Sequence, residues 1–81
     1  DGEKVVFSPK EVEILHLMAA HLNQVFTREQ LLDSIWGFDF DGDSRVVDTS
    51  IKRIRKKLPE YSMLAVRSVY GVGYKIEAAN A

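Results

Sequence analysis

Between Arg45 and Lys57 the chain carries six of its eleven Lys and Arg residues, and a single carboxylate, Asp48, lies among them. Cations at this density neutralise anions, either carboxylates or the regularly spaced phosphates of a nucleic acid, where each contact also releases a counterion. Arginine adds a planar fork of donors that fits a phosphate or the edge of a guanine. Thr49, Ser50 and Val46 intersperse short hydroxyl and methyl groups among these cations.

A helix is the element able to position them. In the stretch from Ser44 to Leu58, SRVVDTSIKRIRKKL, the apolar residues Val47, Ile51, Ile54 and Leu58 recur at i, i+4, i+7 and i+11, one stripe of an amphipathic helix. At about 100° per residue the opposite side collects Arg45, Thr49, Lys52, Arg53 and Lys56, with Val46 and Ser50 at its margin. Asp48 stands four residues before Lys52, a spacing at which the two can pair. Taken alone, such a face fits plain solvation as well as it fits a polyanion.

Other chemistries find little support. There is no cysteine, so disulfides, thiolate metal sites and cysteine nucleophiles are excluded. His16 and His21 are five apart, which turns them to different helix faces, and no clustered carboxylate joins them. The run GFDFDGD from Gly37 to Asp43 fails as a calcium loop, because the twelfth residue from Asp39 or Asp41 is Ser50 or Lys52 rather than Glu. Gly71-Val72-Gly73 is too short for a phosphate-binding glycine loop and no helix follows it. No Ser, His and Asp fall in an interpretable catalytic motif, so an enzyme is not expected, nor is any cofactor or metal.

Eighty-one residues, 46% of them hydrophobic, make one compact domain spanning residues 1–81. No apolar run approaches the roughly 18 residues of a membrane span, and the first residues do not resemble a signal peptide, so a cytoplasmic protein without membrane contact is expected. The net charge of −1 hides a polarity: residues 1–43 carry three Lys and Arg against nine Asp and Glu, and residues 44–81 carry eight against three. That is −6 followed by +5, and it places the cations around the amphipathic helix.

Along the chain, Val5 to Phe7 reads as a single strand. Ser8-Pro9-Lys10-Glu11 is a capping box with proline at the first helical position, opening a helix to about His21. Its core stripe reads as Val12, Leu15, Met18, Ala19 and Leu22, widened by Ile14 and Leu17. After a turn and the extended pair Val25-Phe26, Thr27-Arg28-Glu29-Gln30 is a second capping box for a helix ending near Trp36. That helix has Leu31, Leu32 and Ile35 inside and Gly37 as its terminator. Ser44, beside Asp43, reads as the cap of the basic helix, which Pro59 stops. Glu60-Tyr61-Ser62 turns the chain out, and Met63 to Glu77 reads as a β-hairpin turning at Tyr70-Gly71-Val72-Gly73, where two glycines permit positive φ. Ala78 to Ala81 reads as a frayed tail. The order defines an α+β fold, a winged helix-turn-helix: a three-helix core, a C-terminal hairpin wing and a remnant N-terminal strand.

The segments FSPKEVEIL, VFTREQLLDSIWG, RVVDTSIKRIRKKL and VRSVYGVGYKI, in this order and spacing, resemble the DNA-binding effector domain of OmpR/PhoB-type response regulators from Phe7 to Ile76. The resemblance implies sequence-specific binding of double-stranded DNA, on direct repeats, within a two-component system. The third helix, about Ser44 to Leu58, would enter the major groove, and the wing, about Leu64 to Glu77, would lie at the adjacent backbone and minor groove. Carried over residue by residue, it implies base contacts from Arg53, Thr49, Ser50 and Val46. Phosphate contacts would come from Trp36, Arg45, Lys52, Arg55, Ser68 and Tyr74. Phe38, Asp39, Phe40 and Asp41 fall in the connection that contacts RNA polymerase, while Asp48 has no base role and is expected to pair within the protein. The implied whole protein adds a phospho-accepting receiver domain and a sensor histidine kinase partner, and the domain alone is expected to be a monomer.

Two departures stand out. The wing-tip pair is Arg67 and Tyr70, with Tyr70 where the family commonly has an arginine before the first glycine, so a weaker preference for narrow A·T tracts is expected. Only Val5 to Phe7 corresponds to the four-stranded sheet with which the family usually begins. The competing function for the same residues is a winged-helix protein-interaction module that sets its basic helix against an acidic partner.

Overall fold

The computed structural model describes residues 6–58 and 63–78 of the chain. Helix α1, Pro9–Ala19, begins at the expected capping box: the Ser8 hydroxyl accepts from the Glu11 N–H (3.3 Å) and the Glu11 carboxylate accepts from the Ser8 N–H (2.8 Å). It ends two residues short of His21, and its inward face differs from the expected stripe. Ile14 and Met18 are fully buried and Leu15 and Leu17 pack partly against them, whereas Val12 and Leu22 stay 51% and 42% exposed. The displaced position belongs to Glu11, which is 2% exposed. A buried carboxylate at the cap rotates the face that apolar counting alone would choose.

Asn23, at φ 68°, turns the chain after α1, a conformation that asparagine tolerates, and its N–H donates to the Ile76 carbonyl at 2.7 Å. Strand β1 is the short pair Phe26–Thr27. Helix α2, Arg28–Leu31, starts at the second capping box, with Thr27 N–H to Gln30 Oε1 at 2.8 Å and Gln30 N–H to Thr27 Oγ1 at 3.1 Å. It then widens into a π-helical turn over Leu32–Trp36. Gly37, at φ 101°, ends it and donates to both the Leu32 and Asp33 carbonyls. Leu31 and Ile35 are buried as expected and Leu32 is partly so.

Helix α3, Arg45–Lys57, carries the expected stripe: Val47, Ile51 and Ile54 are at most 1% exposed and Leu58 packs partly against the core. Its cap is Asp43 rather than Ser44. Ser44 already has helical φ and ψ and makes no side-chain cap bond, while Asp43 Oδ1 accepts from the Arg45 N–H at 2.9 Å. The expected stop at Pro59 and the turn at Glu60 to Ser62 lie outside the described residues.

Strands β2, Leu64–Val69, and β3, Gly73–Ala78, form the hairpin, and β1 adds to the free edge of β3, giving an antiparallel sheet in the order β1-β3-β2. Ser68 lies opposite Tyr74, and Phe26 also pairs with Tyr74. Ala78, expected in the tail, closes the ladder opposite Leu64, and the rest of the expected tail lies outside the described residues. Of the two hairpin glycines only Gly71, φ 78°, uses positive φ. Gly73 is needed for a different reason: a Cβ there would collide with the Phe26 carbonyl oxygen across the β1–β3 pair.

The expected N-terminal strand is not formed by its described residues. Val6 and Phe7 are not in a strand, and Val5 lies outside the described residues. Phe7 instead packs on the core, with the Lys57 ammonium 5.5 Å from its ring centre. The three helices and the sheet enclose one core of Ile14, Met18, Phe26, Leu31, Ile35, Val47, Ile51, Ile54, Val66 and Ile76. One face of α3 is spent on that core and the other is left in water.

Candidate nucleic-acid interface

Most of the cations are engaged. The Lys57 ammonium reaches the buried Glu11 carboxylate at 2.6 Å, and Arg45 pairs with Asp43 at 2.9 Å. Arg67 and Lys75 both converge on Glu77, at 3.3 and 3.1 Å. Arg28 Nε donates to Asp48 at 3.0 Å, and Lys10 Nζ donates to the Ile35 carbonyl at 2.7 Å while lying 5.6 Å from the centre of the Trp36 ring. Arg55 donates to the Val66 carbonyl at 3.2 Å and to Ser68 Oγ at 2.5 Å. Among the described residues three cations remain that make no ion pair or hydrogen bond: Lys52, Arg53 and Lys56, all exposed and all on α3.

Around these three lie the short side chains. Thr49 is exposed, and Val46 and Ser50 are half-buried at the margin of the face, Val46 leaning on the core. A face with free cations at its centre and hydroxyls and methyls beside them can neutralise phosphates and approach base edges.

The junction of α3 with the wing is built by Asp48. Its carboxylate accepts from Arg28 and from the Tyr74 hydroxyl in a short hydrogen bond, joining the start of α2, the first turn of α3 and strand β3. The expected partner Lys52 makes no ion pair with Asp48, whose carboxylate is taken by Arg28 and Tyr74 from other elements. Burial, then the hydrogen bond to the charged Asp48, hold the Tyr74 phenol above its ordinary pKa, with Arg28 acting in the opposite direction. Arg28 itself is held more firmly protonated by Asp48. Arg55 lies 5.7 Å from the Tyr74 ring centre, so two arginines flank this tyrosine. Neither the Arg28–Asp48–Tyr74 junction nor the Lys10 contact to Trp36 was expected, since their partners stand 20 or more residues apart and no local spacing signals them.

The remaining candidates fall as follows. Trp36 is half-buried, packed on the core between Lys10 and Phe40, whose ring lies 6.2 Å away. Phe38 and Phe40, treated alike in the sequence, part company: Phe38 is 90% exposed and Phe40 is half-buried. Asp39 and Asp41 beside them are exposed. At Asp43 the Arg45 N–H, then the Arg45 guanidinium, hold the carboxyl below its ordinary range. At the wing tip Tyr70 is completely exposed, while Arg67 is drawn back to Glu77. His21 packs edge-on against Phe26, and among the described residues no group of three His, Cys, Asp or Glu side chains could hold a metal ion. No described helix is long and apolar enough to cross a membrane.

A helix-turn-helix whose third helix presents an unpaired cationic face, flanked by a hairpin anchored to that helix, defines a winged-helix DNA-binding domain. The chain belongs to the family described as "Transcriptional regulatory protein, C terminal", the OmpR/PhoB-type effector domains, whose model matches residues 2–76. It is 48% identical over 80 residues to the transcriptional regulatory protein SrrA of Staphylococcus aureus, covering 95% of this chain but 33% of that protein, so it spans about a third of the relative's length. In structure it is similar to the DNA-binding domain of Bacillus subtilis CssR, with a TM-score of 0.81 at 37% identity over 93% of this chain and 82% of that one. It is also similar to the Klebsiella pneumoniae RstA DNA-binding domain in complex with RstA box, with a TM-score of 0.74 at 32% identity over 94% and 77% of the two chains.

Proposed function

We propose that this domain is the sequence-specific DNA-binding effector of a cytoplasmic two-component response regulator and that α3 is its recognition helix, lying in the major groove. Arg53 contacts base edges, with Thr49, Ser50 and Val46 lining the groove. Lys52, Arg45, Arg55, Ser68 and Trp36 serve the phosphates on either side. Tyr74 gives its hydroxyl hydrogen to Asp48 in the free domain, so its phosphate contact requires exchanging that acceptor for a phosphate oxygen. The observation that carries this reading is that the three cations left unengaged by the described fold share one exposed face of one helix. In the whole protein a receiver domain, phosphorylated by a sensor histidine kinase, governs this activity. The domains sit head to tail on direct repeats, the isolated domain is a monomer, and the segment with Phe38, Asp39, Phe40 and Asp41 meets RNA polymerase.

The test is selection of bound sequences from a random duplex pool, followed by affinities for the winner and a scrambled duplex at two salt concentrations. Arg53→Ala should cost about 1–3 kcal/mol on the winner and relax base preference there. Lys52→Ala should weaken both duplexes alike and flatten the salt dependence by about one phosphate contact. Equal losses on both duplexes for Arg53→Ala would remove its assigned role.

A further inference from the structure

The fold sorts its described lysines into two classes. Lys10, Lys57 and Lys75 are half-buried, and each amine is engaged by an oxygen: the Ile35 carbonyl at 2.7 Å, the Glu11 carboxylate at 2.6 Å and the Glu77 carboxylate at 3.1 Å. The Lys10 and Lys57 amines also lie against the rings of Trp36 and Phe7. Lys52 and Lys56 are exposed and, among the described residues, make no ion pair or hydrogen bond. A lysine amine that is both exposed and unengaged is a nucleophile as well as a charge. The two are not equivalent in their surroundings. Lys56 has Lys52 four residues before it and Arg53 three before it, so two free cations stand beside it on α3. Lys52 has the Asp48 carboxylate four residues before it.

An electrophile with an anionic handle fits Lys56. In an acyl phosphate the phosphate end is held by the planar fork of Arg53 and the ammonium of Lys52, and the carbonyl carbon is presented to the third amine. At Lys52 the same dianion meets Asp48. We propose that Lys56 is a lysine-acylation site whose donor is a small acyl phosphate, and that its acylation lowers DNA affinity without changing base preference. In this step the neutral Lys56 amine attacks the carbonyl carbon and a C–N bond forms. The bond from that carbon to the bridging oxygen breaks, inorganic phosphate leaves with the electron pair, and the surplus amine proton passes to solvent. A neutral amide replaces an ammonium. The effect on DNA rests on the reading of α3 as the recognition helix. Base preference there belongs to Arg53, so the loss of one neighbouring cation weakens all duplexes alike. Because duplex and donor compete for Arg53 and Lys52, bound DNA in turn protects Lys56.

The domain is treated with acetyl phosphate and, separately, with acetic anhydride, an uncharged donor, and the rate at each lysine is followed by peptide mass spectrometry. With acetyl phosphate, Lys56 should be modified roughly tenfold faster than Lys52, Lys10, Lys57 or Lys75, the effect of seating the donor by charge-assisted hydrogen bonds. Arg53→Gln should slow Lys56 roughly threefold to tenfold with acetyl phosphate, the worth of one hydrogen bond, and should not slow it with acetic anhydride. A scrambled duplex should protect Lys56 from acetyl phosphate. Lys56→Gln, which carries a neutral amide, should bind the selected and scrambled duplexes roughly fivefold to tenfold more weakly near 0.1 M salt, with the salt slope flatter by about 0.9. In Lys56→Arg, which keeps the charge and offers no amine, brief treatment should leave the affinity where it stood before treatment.

Equal rates at Lys52 and Lys56, or an Arg53→Gln rate unchanged with acetyl phosphate, overturns the proposal while leaving the recognition-helix reading intact. Domain acylated at Lys56 that binds both duplexes as tightly as untreated domain overturns it as well. A pool that enriches no motif, or Arg53→Ala that leaves base preference unchanged, removes the recognition-helix reading and with it the effect assigned to acylation.

Discussion

Asp48→Asn should move stability and non-specific DNA binding in opposite directions. The substitution keeps the size of the side chain and one acceptor oxygen but removes the charge that holds Arg28 at 3.0 Å and accepts from Tyr74. The Arg28 side chain is 55% exposed, so that pair contributes at most about 0.5 kcal/mol. The bond from the half-buried Tyr74 to a charged acceptor is worth about 1 kcal/mol more than its neutral replacement. The variant should therefore lose about 1–1.5 kcal/mol, a fall in Tm of roughly 5–10 °C for a domain of this size.

For DNA, the change deletes the one carboxylate of the basic helix and releases the Arg28 guanidinium. Affinity for a scrambled duplex should rise roughly threefold to tenfold at low salt, and the slope of log K against log salt should steepen by about 0.9 if Arg28 takes up one phosphate. The cognate duplex should gain less, because the wing is no longer tied to the first turn of α3, so the specificity ratio falls. Fluorescence anisotropy on the two duplexes at several salt concentrations, beside a thermal melt, measures all of this. A folded variant whose scrambled-duplex affinity is unchanged or reduced would refute the reasoning that Asp48 withholds Arg28 from DNA, and Arg28→Gln in the Asp48→Asn background should abolish the steepened slope.

Gly73→Ala should destabilise by about 2–3 kcal/mol or prevent folding, because a Cβ there meets backbone rather than a movable side chain. Gly71→Ala, strained only by its φ of 78° with open space around it, should cost about 1 kcal/mol, and urea unfolding of the pair ranks them. Lys57→Met should cost about 3 kcal/mol by leaving the buried Glu11 carboxylate without its cation. In the wild type, burial pushes the Glu11 pKa up, but hydrogen bonds from Lys57 and the Ser8 N–H and the charges of Lys57 and Arg53 hold it below the ordinary 4.5. That stabilisation is complete above the ordinary carboxylate range and is lost as pH falls below 4.5 through the folded-state value, so acid melts of the wild type should weaken there, whereas the deficit of Lys57→Met relative to the wild type should shrink as acid protonates Glu11. Phe38→Ser should leave stability within about 0.5 kcal/mol and DNA affinity unchanged while lowering activated transcription, whereas Phe40→Ala, which strips a ring from beside Trp36, should destabilise the domain in a thermal melt.

What could be read from the chain was whatever local spacing encodes. The two capping boxes, the α3 stripe and the hairpin turn depend on residues within about one or two turns of one another, and they stand as expected. Local signals failed wherever a partner from elsewhere intervened. Glu11 looked like a cap and nothing more, yet Lys57, 46 residues away, makes its burial tolerable and so rotates α1. Asp48 had an i,i+4 partner in Lys52 and was taken instead by Arg28 and Tyr74. The two phenylalanines of the α2–α3 connection are equivalent in sequence and separate only because Trp36 offers one of them a ring to pack on. Gly73 read as a turn glycine because the strand that crowds it, β1, is two residues long, lies one residue after the expected extended pair Val25-Phe26, and gives no local sign that it pairs with β3.

These same long-range pairs explain how a chain of net charge −1 can present a cationic face at all. Nine acidic residues in the first half would cancel the basic helix if charge were smeared over the surface. They do not, because the ion pairs are selective: Glu11, Asp43 and Asp48 hold cations at the two ends of α3 and at its junction with the wing, and Glu77 holds two more at the base of the wing. Each such pair removes a positive charge from where it would act at long range and turns it into a structural tie. In the middle of α3, Lys52, Arg53 and Lys56 form no ion pair with a described carboxylate, although the charge of Arg53 is felt at Glu11. Carboxylates from both halves of the sequence, Glu11 and Asp43 from the first and Asp48 and Glu77 from the second, thus concentrate the cationic field on one helix face, and a mutation of an acidic tie should broaden that field over the surface rather than strengthen it at the middle of α3.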